Sequence, residues 1–202
     1  MKTGTVIKEQ PSVVKAADYL GETRNVMARL DTNLIDRISD QIWQAYEQDR
    51  TVYLFGNGGS AALASHLACD LAKGTAANGR RRLRAVSLND NAALVTALAN
   101  DHEYAEIFAE QLHHIEPGDV ALAISSSGNS PNVVRGLEVA QQAGATTIAV
   151  SGFKGGRVKS LCDMCLVVPS DNVQYIEDSH LSVMHAIFSA VRQRMLNSAD
   201  RE

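Results

Sequence analysis

The residues best equipped for chemistry in this chain of 202 residues fall into two loops and two polar clusters. The first loop, Gly56-Asn57-Gly58-Gly59-Ser60, runs from an apolar segment straight into a helical pattern. Small residues let backbone approach a ligand, and a helix N-terminus offers free N–H groups and the positive end of its dipole, so an anion fits there. The second loop is Ser125-Ser126-Ser127-Gly128-Asn129-Ser130, followed by Pro131, which suits the first turn of a helix. Serine hydroxyls and backbone amides around such a terminus can hold a phosphate without lysine or arginine. Of the polar clusters, His66 and Asp70 stand at i, i+4 on the helix after the first loop and so share a face. Glu177, His180 and His185 lie on the last helical segment. Glu177 and His185 are separated by roughly 12 Å of helical rise. One ion can be reached by both only if their side chains converge or different subunits contribute.

Other patterns carry less. Gly56-x-Gly58-x-x-Ala61 satisfies a loose dinucleotide fingerprint, but the acidic residue expected about 20 positions on is missing. No Gly-Lys-Ser/Thr follows, which excludes a P-loop. Cys162-x-x-Cys165 has no second pair to complete a zinc site, Cys69 reads as buried packing, and His113-His114 reads as a solvated helix end. His180 alone reads as a packed or interfacial histidine.

The elements that must position these residues are legible from patterning. Short apolar runs at 51–55, 83–88, 120–124, 146–150 and 164–168 are each bounded by turn-forming or charged residues, with helical patterns between them. Buried strands alternating with helices predict a five-stranded parallel sheet covered on both faces, an α/β three-layer architecture of the flavodoxin-like or Rossmann-like kind. The predicted helices are 59–73, 91–114 (broken near Asp101), 131–143 and 174–197. The last takes its apolar face from Ile176, Leu181, Met184, Ile187, Phe188 and Val191. Residues 1–50 form a helical segment of the same domain, and 51–202 the α/β unit. Residues 1–10 read as a loose arm, Pro11 to Leu30 as a helix interrupted at Gly21, and Asp31-Thr32-Asn33 as the stretch that caps a second helix. With little sheet of their own to cover, these two helices are expected at a subunit interface.

Composition narrows the functional classes. Apolar residues make up 45% and charged residues 21%, which is globular usage. Nineteen basic against 23 acidic residues, net charge −4, give no nucleic-acid footprint, and the cluster Arg80-Arg81-Arg82 with Arg84 reads as a solvated strand start. No apolar run reaches 18 residues and the N-terminus has no signal-like core, so neither membrane span nor secretory signal is expected. An odd three cysteines make no disulfide framework, which predicts a soluble protein of a reducing, cytoplasmic compartment.

Gly-Asn-Gly-Gly-Ser paired with Ser-x-Ser-Gly-Asn-Ser resembles the sugar isomerase (SIS) domain family, whose members bind phosphosugars. Within it the chain is similar to the phosphoheptose isomerases, over about residues 12–195. The likeness includes His66 with Asp70, Ala99-Asn100-Asp101 with Phe108, Pro117-Gly118-Asp119-Val120, and Ile176-Glu177-x-x-His180 with His185. It implies substrate binding by Asn57, Gly58, Gly59, Ser60, Asn100, Asp101, Ser125, Ser126, Ser127, Ser130 and Glu177. It implies a divalent ion, zinc, on His66, Asp70, Glu177 and His185, with Asp70 and His185 catalytic, and a homotetramer. Asp70 stands where a glutamate is usual and Glu177 where a glutamine is usual. The reaction implied is aldose–ketose isomerisation of sedoheptulose 7-phosphate through an enediolate, with Asp70 as base and Glu177 as its substitute. The alternatives are a regulator that senses a phosphosugar and a protein-binding adaptor of the replication-initiator-binding type.

Overall fold

A computed structural model describes residues 15–76 and 81–199. The expected arm at 1–10, the helix start at Pro11 and Arg80 lie outside these residues. The chain runs α1 (Ala16–Met27), α2 (Thr32–Glu47), β1 (Thr51–Gly56), α3 (Gly59–Gly74), β2 (Arg84–Ser87), α4 (Ala92–Asp101), β3 (Val120–Ser125), α5 (Pro131–Gln142), β4 (Thr146–Ser151), α6 (Val158–Leu161), β5 (Met164–Val167) and α7 (Val173–Ala199). Every strand begins and ends within a residue or so of its apolar run. After Asp101 the helical pattern breaks into two short 3-10 turns, Tyr104–Glu106 and Glu110–Leu112.

The five strands are all parallel in the order β2-β1-β3-β4-β5. Alternation along each strand sorts the core into two layers. Val52 and Leu54, Val120, Leu122 and Ile124, and Ile148 and Val150 face α2, α3 and α7. Phe55, Ala121, Ala123 and Ala149 face α5, α6 and the segment around Phe108. The small alanines leave room for the Phe55 and Phe108 rings, whose centroids lie 5.0 Å apart. Both faces are therefore closed to water, as a parallel sheet requires.

The two leading helices differ from expectation. Of the expected capping stretch Asp31-Thr32-Asn33, Asp31 is the cap of α2, accepting from the Leu34 amide at 3.0 Å. However, Ile35, Ile38, Ile42, Ala45 and Tyr46 are buried within the chain, packed against the sheet and α7. The α2 stripe covers a sheet face whose other tenants do not fill it, so it is not a free subunit surface. α1 runs through Gly21 without a break, because a glycine in an exposed turn weakens a helix by about 1 kcal/mol without ending it. α4 has no fully buried residue: Val95, Leu98 and Ala99 pack against the core layer around Phe108 while Leu94 is exposed, and on α1 Leu20 is exposed as well. Cys69 is exposed rather than packed, and Leu181 is exposed too. Arg81 and Arg84 bind locally: Arg81 to the carbonyls of Tyr46 and Glu47, and Arg84 to Asp49.

Candidate functional site

Strand order reverses between β1 and β3, and in open parallel sheets the crevice beyond the strand ends at such a point is the ligand site. Gly56 pairs with Ile124 in register, so the two loops singled out in the sequence emerge side by side. The first turns at Gly58, whose φ of 57° and ψ of −122° belong to a region only glycine enters freely. That turn aims the start of α3 at the crevice. Asn57 is held by a reciprocal amide pair with Asn132, 2.8 Å each way, and accepts from the Tyr104 hydroxyl at 3.1 Å. Its side chain is thereby engaged, and its backbone is what it offers a ligand. Asn89 clamps Gly56 in the same manner, through its amide nitrogen and oxygen at 2.9 and 3.2 Å. Asn89, Tyr104 and Asn132 were not singled out in the sequence. The position of Asn132 in the first turn of the helix after the serine loop was the one signal available.

The serine loop folds on itself. The Gly128 amide donates to the Ser125 carbonyl at 3.0 Å and to the Ser125 hydroxyl at 3.2 Å, and the Asn129 amide donates to the Ser127 hydroxyl at 3.2 Å. Ser130 occupies the cap position of α5, yet its hydroxyl makes no capping bond. Ser125, Ser126, Ser127 and Ser130 line a cavity of about 360 Å³ together with Ser60 and Glu177. No lysine or arginine lines it. What it offers an anion is serine hydroxyls, backbone amides and the N-terminus of α5.

At the far side of Ser60 and Glu177 lies a second cavity of about 230 Å³ that reaches His66. Ser60 and Glu177 line both. The Glu177 carboxylate lies over Gly59 at the N-terminus of α3, a placement the helix dipole favours. Helices α3 and α7 pack together, and this brings His66, Asp70 and His185 into one cluster whose ligand atoms all lie within 4.8 Å. His66 Nε2 is 3.3 Å from Asp70 Oδ2 and 3.3 Å from His185 Nε2, and His185 Nε2 is 3.9 Å from Asp70 Oδ2. Tetrahedral zinc with bonds near 2.0–2.1 Å separates its ligand atoms by roughly 3.3 Å, so this donor set fits such an ion. Glu177 is not part of the cluster.

The remaining residues are placed as follows. His180 is buried, its Nε2–H donating to the Ser151 carbonyl at 3.2 Å, while its Nδ1 has no partner. Burial pushes its pKa down from 6.5 to about 4, against a smaller opposing effect of that hydrogen bond. Asn100 and Asp101 stand at the exposed end of α4, hydrogen-bonded to each other at 2.8 Å, and line neither cavity. Cys162 and Cys165 are free, and burial raises both thiols, to about 12 and about 11, which leaves them inert.

Fold and site together define a parallel α/β domain with an amide-and-hydroxyl anion cradle next to a histidine–carboxylate cluster. A family model of the SIS domain matches residues 18–152, and the chain belongs to that family. A probable phosphoheptose isomerase of Thermoplasma acidophilum is 37% identical over 180 residues, covering 89% of this chain and 98% of the relative. The phosphoheptose isomerase of Aquifex aeolicus is 39% identical over 173 residues, covering 85% and 90%. Among solved structures, a phosphoheptose isomerase from Neisseria gonorrhoeae superposes with a TM-score of 0.81 at 27% identity, covering 88% of this chain and 96% of that one.

Proposed function

We propose that the protein isomerises sedoheptulose 7-phosphate to D-glycero-D-manno-heptose 7-phosphate. The observation carrying this is the adjacency of two cavities that share Ser60 and Glu177: a serine-lined cradle without cationic side chains, and a second cavity that reaches His66 of the His66–Asp70–His185 cluster. The names of the relatives and their coverage of nearly the whole chain support the same substrate.

The serine loop and the α5 N-terminus hold the phosphate, which fixes the carbonyl end of the sugar against the cluster. Asp70 takes a proton from C1 of the ketose while the C2 oxygen is protonated, giving an enediol. Return of a proton to C2 and loss of the O1 proton complete the aldose, with His185 as acid–base partner at the second carbon. No atom is gained or lost. Glu177, placed between the two cavities, accepts sugar hydroxyls and is the substitute base. His66, Asp70 and His185 would hold a divalent ion, zinc by donor type; when bound it supplies Lewis-acid polarisation of the two oxygens.

We further place the chain in a homotetramer, with the outer side of α4 as a subunit contact: Val95, Leu98 and Ala99 pack inward against the core while Leu94 and its neighbouring alanines stay exposed, and the helix carries Asn100 and Asp101. A partner's cavity would bring those two residues into use. We place the protein in the cytoplasm, in keeping with three free thiols. No described helix is long and apolar enough to cross a membrane.

Turnover of sedoheptulose 7-phosphate by the purified, metal-supplied protein tests the reading. Binding of the sugar phosphate without turnover of it or of any shorter ketose phosphate would favour a phosphosugar-sensing regulator. Neither binding nor turnover would favour a protein-binding adaptor.

A further inference from the structure

The loop after β4, Gly152-Phe153-Lys154-Gly155-Gly156, packs directly against the serine loop. A Cβ on Gly128 would stand 2.1 Å from the Gly155 carbonyl oxygen, so the two loops touch through backbone. The Gly152 amide donates to the Ser126 carbonyl at 2.9 Å and the Val158 amide to the Gly128 carbonyl at 3.1 Å. Amid these glycines stands one aromatic residue, Phe153, with φ of 52°. A side chain disfavours that left-handed conformation, and a bulky one is an outlier there. The Phe153 amide donates to the Ser170 carbonyl at 3.0 Å, which helps hold the strained backbone in place. Its ring is 41% exposed, so core packing does not account for the strain.

The location of the ring does. Phe153 and Ser127 are the residues shared by the serine-lined cavity and a separate cleft of about 890 Å³ running toward α1 and Tyr175. That cleft is large enough for a nucleoside-sized group, and it adjoins the cradle on the side away from His66.

We infer that Phe153 is a specificity-determining residue, a side wall that closes the phosphate cradle toward this cleft and forces a bound phosphate ester to extend toward the His66–Asp70–His185 cluster. The inference rests on the phosphosugar reading above and deepens it. With the wall in place, a phosphate ester whose bulk lies in the wrong direction is rejected, and the carbon chain of a linear sugar gains an apolar face to lie on.

The test compares wild type with Phe153→Gly and Phe153→Asn, two residues that accept a positive φ and lack the ring. Calorimetric titrations use inorganic phosphate, sedoheptulose 7-phosphate and uridine monophosphate. In both variants the heptulose phosphate should bind about tenfold more weakly, the loss expected from removing roughly 50 Å² of apolar contact. Uridine monophosphate, excluded by wild type, should bind in competition with inorganic phosphate. Inorganic phosphate itself should bind all three proteins alike, and melting temperatures should agree within about 3 °C, since relief of backbone strain offsets the freer unfolded chain.

Unchanged heptulose-phosphate affinity with continued nucleotide exclusion overturns the inference. So does loss of inorganic phosphate binding in both variants, which would make the ring part of the cradle, or a melting temperature lowered by about 10 °C in both, which would make it structural. The phosphate and nucleotide titrations decide the role of the wall even if wild type isomerises no heptulose phosphate, so the failure of the enzymatic reading remains separate.

Discussion

The two ends of the site are built by opposite means. The phosphate end is mostly backbone: the glycine loop is held by Asn89 and Asn132, and the serine loop by the loop after β4, with α5 behind them. The cluster end is side chain: His66 and His185 are each about half exposed (47% and 49%) and come from two different helices, α3 and α7. The backbone share of the cradle is made by the fold and is lost only with it. A side-chain site can be deleted one residue at a time, leaving the fold whole. Substitutions should therefore separate chemistry from stability throughout the cluster, whereas in the cradle only hydroxyls that hold no loop amide can be removed without touching loop structure.

The largest expected effect lies in the cluster. His185→Ala and Asp70→Asn should each lower turnover by about 10³-fold or more, within the range a positioned acid–base group contributes, while the melting temperature of the metal-free protein stays put. His66→Ala should join them through the ion, and all three should reduce the rise in melting temperature that zinc produces by mass action. Metal retained by Asp70→Asn with turnover collapsed marks Asp70 as the base. Turnover surviving chelation and both substitutions removes the catalytic role of the cluster.

The cradle should behave differently from serine to serine. Ser126 and Ser130 have hydroxyls unused by the loop, so Ser126→Ala with Ser130→Ala should weaken sugar-phosphate binding about 10²-fold with no change in melting temperature, two charge-assisted donors being lost. The Ser125 and Ser127 hydroxyls also accept loop amides. Ser125→Ala with Ser127→Ala should cost a similar share of affinity and also lower the melting temperature. Equal behaviour of the two pairs in thermal denaturation would erase the proposed difference between the ends of the site.

Much of this arrangement was legible in the sequence, for physical reasons that differ by element. The strands stand out because a sheet buried on both faces needs uninterrupted apolar runs, and Gly, Ser and Pro end them sharply. The two loops stand out because their composition exceeds what a tight turn requires. The burial of α2 was not legible: which sheet face a leading helix covers depends on strand order, and that is a long-range property. Cys69 was misplaced because α3 is rich in Ala and Leu, which blurs its polar face, and the His66–Asp70 side was the better guide. The meeting of His66 with His185 depends on how α3 crosses α7, which no local pattern encodes. The reciprocal pair of Asn57 and Asn132 is invisible for the same reason.

Between the two ends, His180 ties α7 to the end of β4 and sharpens the comparison through pH. Its folded pKa of about 4 lies below the ordinary 6.5, so the unfolded chain binds the extra proton first. The neutral buried ring therefore contributes its full stability above about pH 6.5, and this is lost as pH falls toward 4, to the extent of roughly 3 kcal/mol. Urea denaturation between pH 7.5 and 4 should show this slope, and His180→Gln should flatten it. In the variant an amide can still donate to the Ser151 carbonyl, and nothing titrates. A slope unchanged in His180→Gln would assign the acid sensitivity to other groups.

The smallest effect is expected from Asp70→Glu, and it bears on how tightly the cluster is specified. Asp70 reaches His66 across one helical turn at 3.3 Å, a span a glutamate can match by bending its extra methylene back along the half-exposed α3 surface. The carboxylate, its charge and its distance to both imidazoles can all be kept, and glutamate is a slightly better helix former than aspartate. Turnover should stay within about threefold of wild type, and zinc should raise the melting temperature as much as before. This tolerance is the counterpart of the rigidity expected at the cradle, where one added carbon on Gly128 would meet the Gly155 carbonyl oxygen. If Asp70→Glu instead loses turnover as fully as Asp70→Asn while still binding zinc, the base must lie at a fixed depth that only the shorter side chain reaches. The cluster end would then be as finely placed as the backbone end.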